Sequence, residues 1–314
     1  MKRDTFRSEN WKWGFIVLRI GIAFSLLIIL FAVIGLDSIL RTLREICLMG
    51  GVLVAVGLCL LFFLGALNVW ILLRALRPIP LADFVVAYSY SWAVSLISPG
   101  QAGDASLIFF MRRYDVPLRQ SAAAYTLDKA ITVLLFGCVA CVGAFVAIAE
   151  FKTLRFPFLV FGLSIVAGAL VVALAFSKSS VGGGEGPSRW GRFRQELDTF
   201  REKWHVLLLN FGMTTLKWMV VSLTYWLAFR SFGVPVAWRD IAVIPIVATL
   251  VGYIPVSLAG IGTVEVTAVF LFGKVGVEQP AVVSAYLLLR TMQFLLAILL
   301  LWALRFSRNP RGRQ

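Results

Sequence analysis

The chain has 314 residues, 60 % of them hydrophobic and 15 % charged, with a formal net charge of +14. Globular domains average roughly 45–50 % apolar and about 25 % charged, which excludes a secreted soluble domain, a cytosolic enzyme and a disordered chain. The apolar excess falls in blocks near the ~20 residues that a ~30 Å hydrocarbon core requires, so the chain is expected to be an integral membrane protein.

In chain order, apolar runs predict six spanning helices at about 14–36, 48–73, 119–149, 156–176, 205–230 and 280–304. Lys2, Arg3, Arg7 and Lys12 precede the first, as in a signal peptide. The run after them is too long for one and lacks a small-residue cleavage site, so it is expected to be a retained helix. Two further apolar regions are too short to cross. Phe84 to Ile97 is 14 residues, about 21 Å of helix. It breaks at Ser98-Pro99-Gly100-Gln101-Ala102-Gly103-Asp104 and resumes from Ala105 to Met111. Ile241 to Ile254 breaks at Pro255–Thr263 and resumes from Val264 to Phe272. Each is either one interrupted span or a re-entrant hairpin.

Basic residues discriminate between the two. With both regions re-entrant, 19 Lys and Arg fall on the side of the termini and seven on the other. With both crossing, the division is 14 against 12. Because Lys and Arg are retained in cytoplasmic loops, two hairpins are favoured, with both termini cytoplasmic in the cell membrane. This distribution accounts for the basic surplus without a nucleic-acid partner. Segment 177–204 reads as a flexible linker followed by a basic amphipathic stretch, Arg189 to Lys203, suited to an anionic leaflet. Its triple glycine lacks the Gly-Lys-Ser/Thr ending of a phosphate loop. Cys138-x-x-Cys141 has redox spacing but lies in an apolar run, so these cysteines, with Cys47 and Cys59, are expected to be small buried apolar residues. His205 is the sole histidine, and no metal site or other cofactor is expected.

The two broken regions align at an offset of 161 residues: Asp104 with Glu265, Arg113 with Lys274, Val116 with Val277, Tyr125 with Tyr286, Lys129 with Arg290. In each copy an acid follows the glycine break, and a base follows the acid by 25 residues. Three spans separate the hairpins, and an odd number inverts the second copy, a recurrent transporter design. The fold expected is therefore an all-α polytopic membrane protein, a single domain over 1–314. It has about six transmembrane helices and two re-entrant hairpins in an inverted repeat, about 81–149 and 238–304.

Charges inside a bilayer are costly, and they are usually paired or functional. Asp104, Asp128, Lys129, Lys217, Glu265 and Arg290 all fall at or near membrane depth. One reading is structural: Asp104 with Lys129, and Glu265 with Arg290, pin each hairpin to the next helix. The other is that Lys129 and Arg290 attract a lipid phosphate while the acids hold them between turnovers; both can hold together. Half-helices that begin inside the membrane aim unpaired N–H groups at an anion. Gly100, Gly103, Gly260 and Gly262 would let backbone approach a headgroup, or merely permit tight turns. Ser98, Gln101, Ser257 and Thr263 offer polar groups, and Lys217 is either a third cavity cation or snorkels to an interface.

Pro99-Gly100-Gln101-Ala102-Gly103-Asp104, Arg112-Arg113 and Val116-Pro117-Leu118 resemble the first motif of the lysylphosphatidylglycerol synthase transmembrane-region family. Pro255, Ser257 through Glu265, Gly276-Val277 and Leu289-Arg290 resemble its later signature. The resemblance implies a flippase-like domain; in larger members this region moves an aminoacylated phospholipid between leaflets, and a separate soluble domain attaches the amino acid. The chain stops at Gln314, ten residues past the last apolar run, so a stand-alone member without that soluble domain is expected. Some stand-alone members are associated with polyprenyl-linked sugar or hopanoid pathways.

The function expected is a lipid translocator rather than an enzyme. An anionic or zwitterionic headgroup, of a phospholipid or a polyprenyl-phosphate lipid, would pass between two cavities, one beneath each hairpin. No nucleotide motif is present, so movement would be passive or ion-coupled, with Asp104, Asp128 and Glu265 as proton carriers. The alternatives are a non-catalytic scaffold for a lipid-modifying partner enzyme and an intramembrane transferase on a lipid-linked substrate.

Overall fold

A computed structural model describes residues 37, 44, 47–98, 102–146, 162, 189–253, 257 and 260–307. Most of them are helical, with no strand among them. Among the described residues four helices are long and apolar enough to cross a bilayer, within Leu48–Leu76, Leu118–Gly143, Trp204–Ser231 and Gln279–Arg305. These coincide with four of the six expected spans. The expected helix at 14–36, nearly all of 156–176, and linker residues 177–188 lie outside the described residues.

Helix α1 (Leu48–Leu76) is 29 residues long, about 44 Å at 1.5 Å per residue. It ends where Arg77 turns extended (φ −149°), as a residue before proline must. The Trp70 indole N–H then donates to the Ile79 carbonyl at 3.0 Å, which folds the Pro78–Pro80 link back on the helix end. A first broken segment follows. Helix α2 (Leu81–Ser95) has 15 residues, about 22 Å and short of the hydrocarbon core. Ser95 and Ser98 hydroxyls donate to the Trp92 and Val94 carbonyls, each at 2.7 Å, occupying its last acceptors. The chain returns through a 3-10 turn (Ala102–Ser106), α3 (Leu107–Phe110) and a second 3-10 turn (Met111–Tyr114). Gly103 presses so close to α2 that a Cβ would run into the Ser95 backbone.

Helix α4 (Leu118–Val146) follows, and α5 (Arg189–Glu202) leads into α6 (Trp204–Ser231). Helices α1 and α6 pack along their lengths. Gly57 lies against Thr224 and Gly50 against Ser231, with no room for a Cβ at either; small residues bring membrane helices into close contact. The second broken segment pairs α7 (Trp238–Gly252) with α8 (Thr263–Lys274), before α9 (Gln279–Ser307). Pro245 sits inside α7 and removes one rung of its ladder. Between α7 and α8, Gly260 and Gly262 take φ of +71° and +84°, a backbone region that disfavours side chains.

The sequence repeat continues in the backbone. Asp115 and Gly276, 161 positions apart, are both left-handed, with φ of 56° and 80°. The next residue donates in each copy to the carbonyl five back, Val116 to Met111 and Val277 to Phe272. The following long helices start at Leu118 and Gln279, again 161 apart.

Each broken segment has its own apolar core. Leu72, Leu73, Phe84, Leu107 and Met111 form one, and Phe229, Ile244, Leu271, Phe272 and Val282 belong to the other. The basic stretch expected on the leaflet is helix α5, and it also docks on the protein. Phe200 is buried in the first core. Glu196 pairs with Arg119 at 2.7 Å, and the Lys203 ammonium donates to the Ala75 carbonyl at 2.6 Å, a cation on a helix C-terminus. The cysteines correct the sequence expectation: all four are free thiols, and Cys47, Cys59 and Cys138 are exposed rather than buried. On a membrane helix the lipid-facing side is as apolar as the core, so an apolar neighbourhood does not specify an inward position.

Candidate functional site

Lys129 lies 11 residues into α4, and Arg290 lies 11 residues into α9, about 17 Å along each helix. Lys217 lies 13 residues into α6, about 20 Å along. All three cations are therefore near the middle of helices long enough to span. The broken segments deliver the acids to the same level. The Lys129 ammonium is 2.6 Å from Asp104 Oδ2, and the Arg290 guanidinium reaches Glu265 Oε1 through Nη2 at 2.7 Å and Nε at 2.8 Å. Both pairs expected from the 25-residue spacing are thus formed. The first pair is about a quarter exposed, whereas the Glu265 side chain is only 2 % exposed.

The two pairs do not sit in separate cavities. Asp104, Lys129, Lys217, Glu265 and Arg290 all line one cavity of about 310 Å³. Tyr88, Trp92 and Tyr253 line it with the first pair, Tyr225 and Tyr286 with the second. Gly65 leaves the space that the Tyr88 hydroxyl enters. The expectation of one cavity beneath each hairpin is corrected: α2 packs against α9, so the two halves share their polar interior.

At the second break the amide expected to face a ligand is taken by the chain itself. The Gly262 N–H, at the start of α8, donates to Glu265 Oε2 at 2.7 Å, so the helix caps itself with its own acid. Thr263 donates its hydroxyl to the Gly260 carbonyl at 3.0 Å and lies 3.1 Å from the Ser257 hydroxyl. Gly260, Gly262 and Thr263 therefore build the turn. At the first break the chain returns in short 3-10 turns and a four-residue helix, too little for a developed dipole. Gly103 serves close packing on α2. Gly100, with Pro99 and Gln101, lies outside the described residues.

Asp128 is 1 % exposed and lines a smaller adjoining pocket with Lys129 and Lys217. Its Oδ1 accepts from the Asn68 amide at 2.8 Å and from Asn210 at 3.5 Å, and its Oδ2 is 4.0 Å from Lys129. Asn68 also donates to Thr214 at 2.9 Å, and Asn210 donates to Asn68 Oδ1 at 2.9 Å. This network of α1, α4 and α6 was not read from sequence. Its signal was visible: Asn68 is the only amide side chain in the 29 residues of α1, and buried amides demand partners. Among the described residues no group of three or more His, Cys, Asp or Glu converges as metal binding requires.

The family described as the lysylphosphatidylglycerol synthase TM region matches residues 16–300. No curated protein matches the chain.

Proposed function

The chain belongs to the lysylphosphatidylglycerol synthase TM-region family, a multi-pass membrane protein of lipid metabolism or transport, and on that premise we propose that it translocates lipid between leaflets. The observation that carries this reading is the shared cavity of about 310 Å³, with Lys129, Lys217 and Arg290 on its wall near mid-helix. A polar cavity at that depth gives a charged headgroup somewhere to be solvated, while the acyl tails stay in lipid. The cations attract phosphate, Arg290 through a planar fork and the lysines as point charges. Asp104 and Glu265 keep Lys129 and Arg290 charged and placed when the cavity holds no headgroup, offsetting the cost of burying charge.

The architecture we propose around it has six spans, with α2–α3 and α7–α8 as re-entrant hairpins in an inverted repeat. Both termini and α5 lie on the cytoplasmic face of the cell membrane, as the basic residues indicate. No nucleotide-binding motif occurs in the chain, so movement is passive or ion-driven.

The experiment is transbilayer movement of a fluorescent phospholipid in proteoliposomes, followed by quenching from outside. Wild-type protein is expected to accelerate it over empty vesicles. Lys129→Met and Arg290→Met are expected to lose the acceleration. Rates equal to empty vesicles for folded wild type, or to wild type for both variants, would overturn the proposal.

A further inference from the structure

We propose that the cavity selects a headgroup of one net negative charge, a phosphate or phosphodiester monoanion with no balancing ammonium, and that Lys217 is the residue that receives it. This rests on the translocator reading for its setting and on the charges of the cavity wall for its selectivity.

Acids and bases on that wall are not equally committed. Asp104 holds Lys129 at 2.6 Å. Glu265 spends one oxygen on Arg290 and the other on the Gly262 amide, both at 2.7 Å. Lys217 lines the same cavity, yet among the described residues it has neither a carboxylate within 4.0 Å nor a hydrogen bond.

Asp128 explains how an ammonium persists there. It lines the small pocket that Lys217 also reaches and supplies countercharge from behind, which offsets desolvation. Asn68 and Asn210 hold that carboxylate in place, so it does not swing forward to cover Lys217. A monoanion entering the cavity meets one cation whose cavity side is uncovered. A cationic headgroup meets the reverse, since Asp104 and Glu265 must first give up partners at 2.6 and 2.7 Å. A zwitterion gains at Lys217 and loses at Lys129 and Arg290. A volume of about 310 Å³ falls at the lower end of small-molecule sites, about 300–1,000 Å³, and gives room for a headgroup.

Trp92 lines the cavity, so binding can be followed by tryptophan fluorescence of the full chain in detergent. The probes are dihexanoyl phosphatidylglycerol (monoanion), dihexanoyl phosphatidylcholine (zwitterion), dihexanoyl ethylphosphocholine (cation) and glycerophosphoglycerol, the same phosphodiester monoanion without acyl chains. Wild type is expected to bind the anionic lipid at least tenfold tighter than the zwitterion, and the cation weakest. Lys217→Gln is expected to erase that order and Lys217→Arg to keep it. Equal binding of all three lipids by wild type overturns the proposal without any variant, as does an unchanged order in folded Lys217→Gln. Glycerophosphoglycerol binding as tightly as the anionic lipid upholds the charge selection and overturns the translocator reading. Selective lipid binding without transbilayer movement does the same.

Discussion

Replacing Arg290 by methionine separates what the second ion pair does for folding from what it does for a ligand. Glu265 is 2 % exposed, so removing its cation strands a charge in the interior, retaining only the Gly262 amide at 2.7 Å. Breaking one side of a buried pair costs about 3–5 kcal/mol, and Arg290→Met is expected to unfold at a clearly lower temperature. The double variant Arg290→Met with Glu265→Gln removes both charges and keeps a side chain near the size that caps α8. Replacing a buried pair by neutral groups is often close to neutral in stability, so most of the loss is expected to return. Translocation is expected to stay lost in the double variant, because one of the three cations on the cavity wall is gone. Thermal unfolding in lipid nanodiscs and lipid movement in proteoliposomes, on all three proteins, read the two effects separately. Recovery of both stability and transport in the double variant would refute the ligand role. An Arg290→Met protein as stable as wild type would refute the burial argument.

The first pair is more exposed, with Lys129 and Asp104 at 27 % and 23 %, so Lys129→Met is expected to cost less, about 1–3 kcal/mol, between the limits for exposed and buried pairs; the same unfolding assay ranks the two. Gly103→Ala is expected to cost about 1–3 kcal/mol through overpacking, since its Cβ meets the Ser95 backbone, and increased proteolysis between α2 and α3 would register the displacement. Asn68→Leu leaves the Asp128 carboxylate with a weaker amide partner and is expected to cost about 1.5–3 kcal/mol, measured by thermal unfolding. In a background lacking Cys47, Cys59, Cys138 and Cys141, single cysteines at the exposed positions Arg113 and Lys274 are expected to react with an impermeant thiol reagent from opposite sides; reaction from one side would remove the inverted repeat.

The parts of the site legible in the sequence were those carrying charge against an apolar background. Asp104, Lys129, Glu265 and Arg290 stand out as charges set in or beside apolar runs, and the 25-residue spacing recurs as two ion pairs. The repeat was legible for the same reason, and the left-handed Asp115 and Gly276 show it in the backbone. What stayed hidden depends on contacts across the chain. Asn68 and Asp128 are 60 residues apart and Asn68 and Asn210 are 142 apart; no local period links them. The merging of both pairs into one cavity follows from how the halves pack, which charge spacing does not encode. The capping of α8 by Glu265 turned a motif expected to face a ligand into one that faces itself. Cysteine exposure was misread because lipid-facing and buried surfaces share one composition.

The central claim is that a lipid headgroup enters the cavity between the two broken segments. A phospholipid carrying a photoreactive group on its headgroup, activated in proteoliposomes and mapped by peptide mass spectrometry, tests this directly. Adducts are expected on cavity residues, Trp92 on α2, Tyr225 on α6 and Gln293 on α9, with weaker labelling in Lys217→Gln. Adducts confined to exposed positions such as Leu208 and Met219 on α6, with none on the cavity wall, would contradict it.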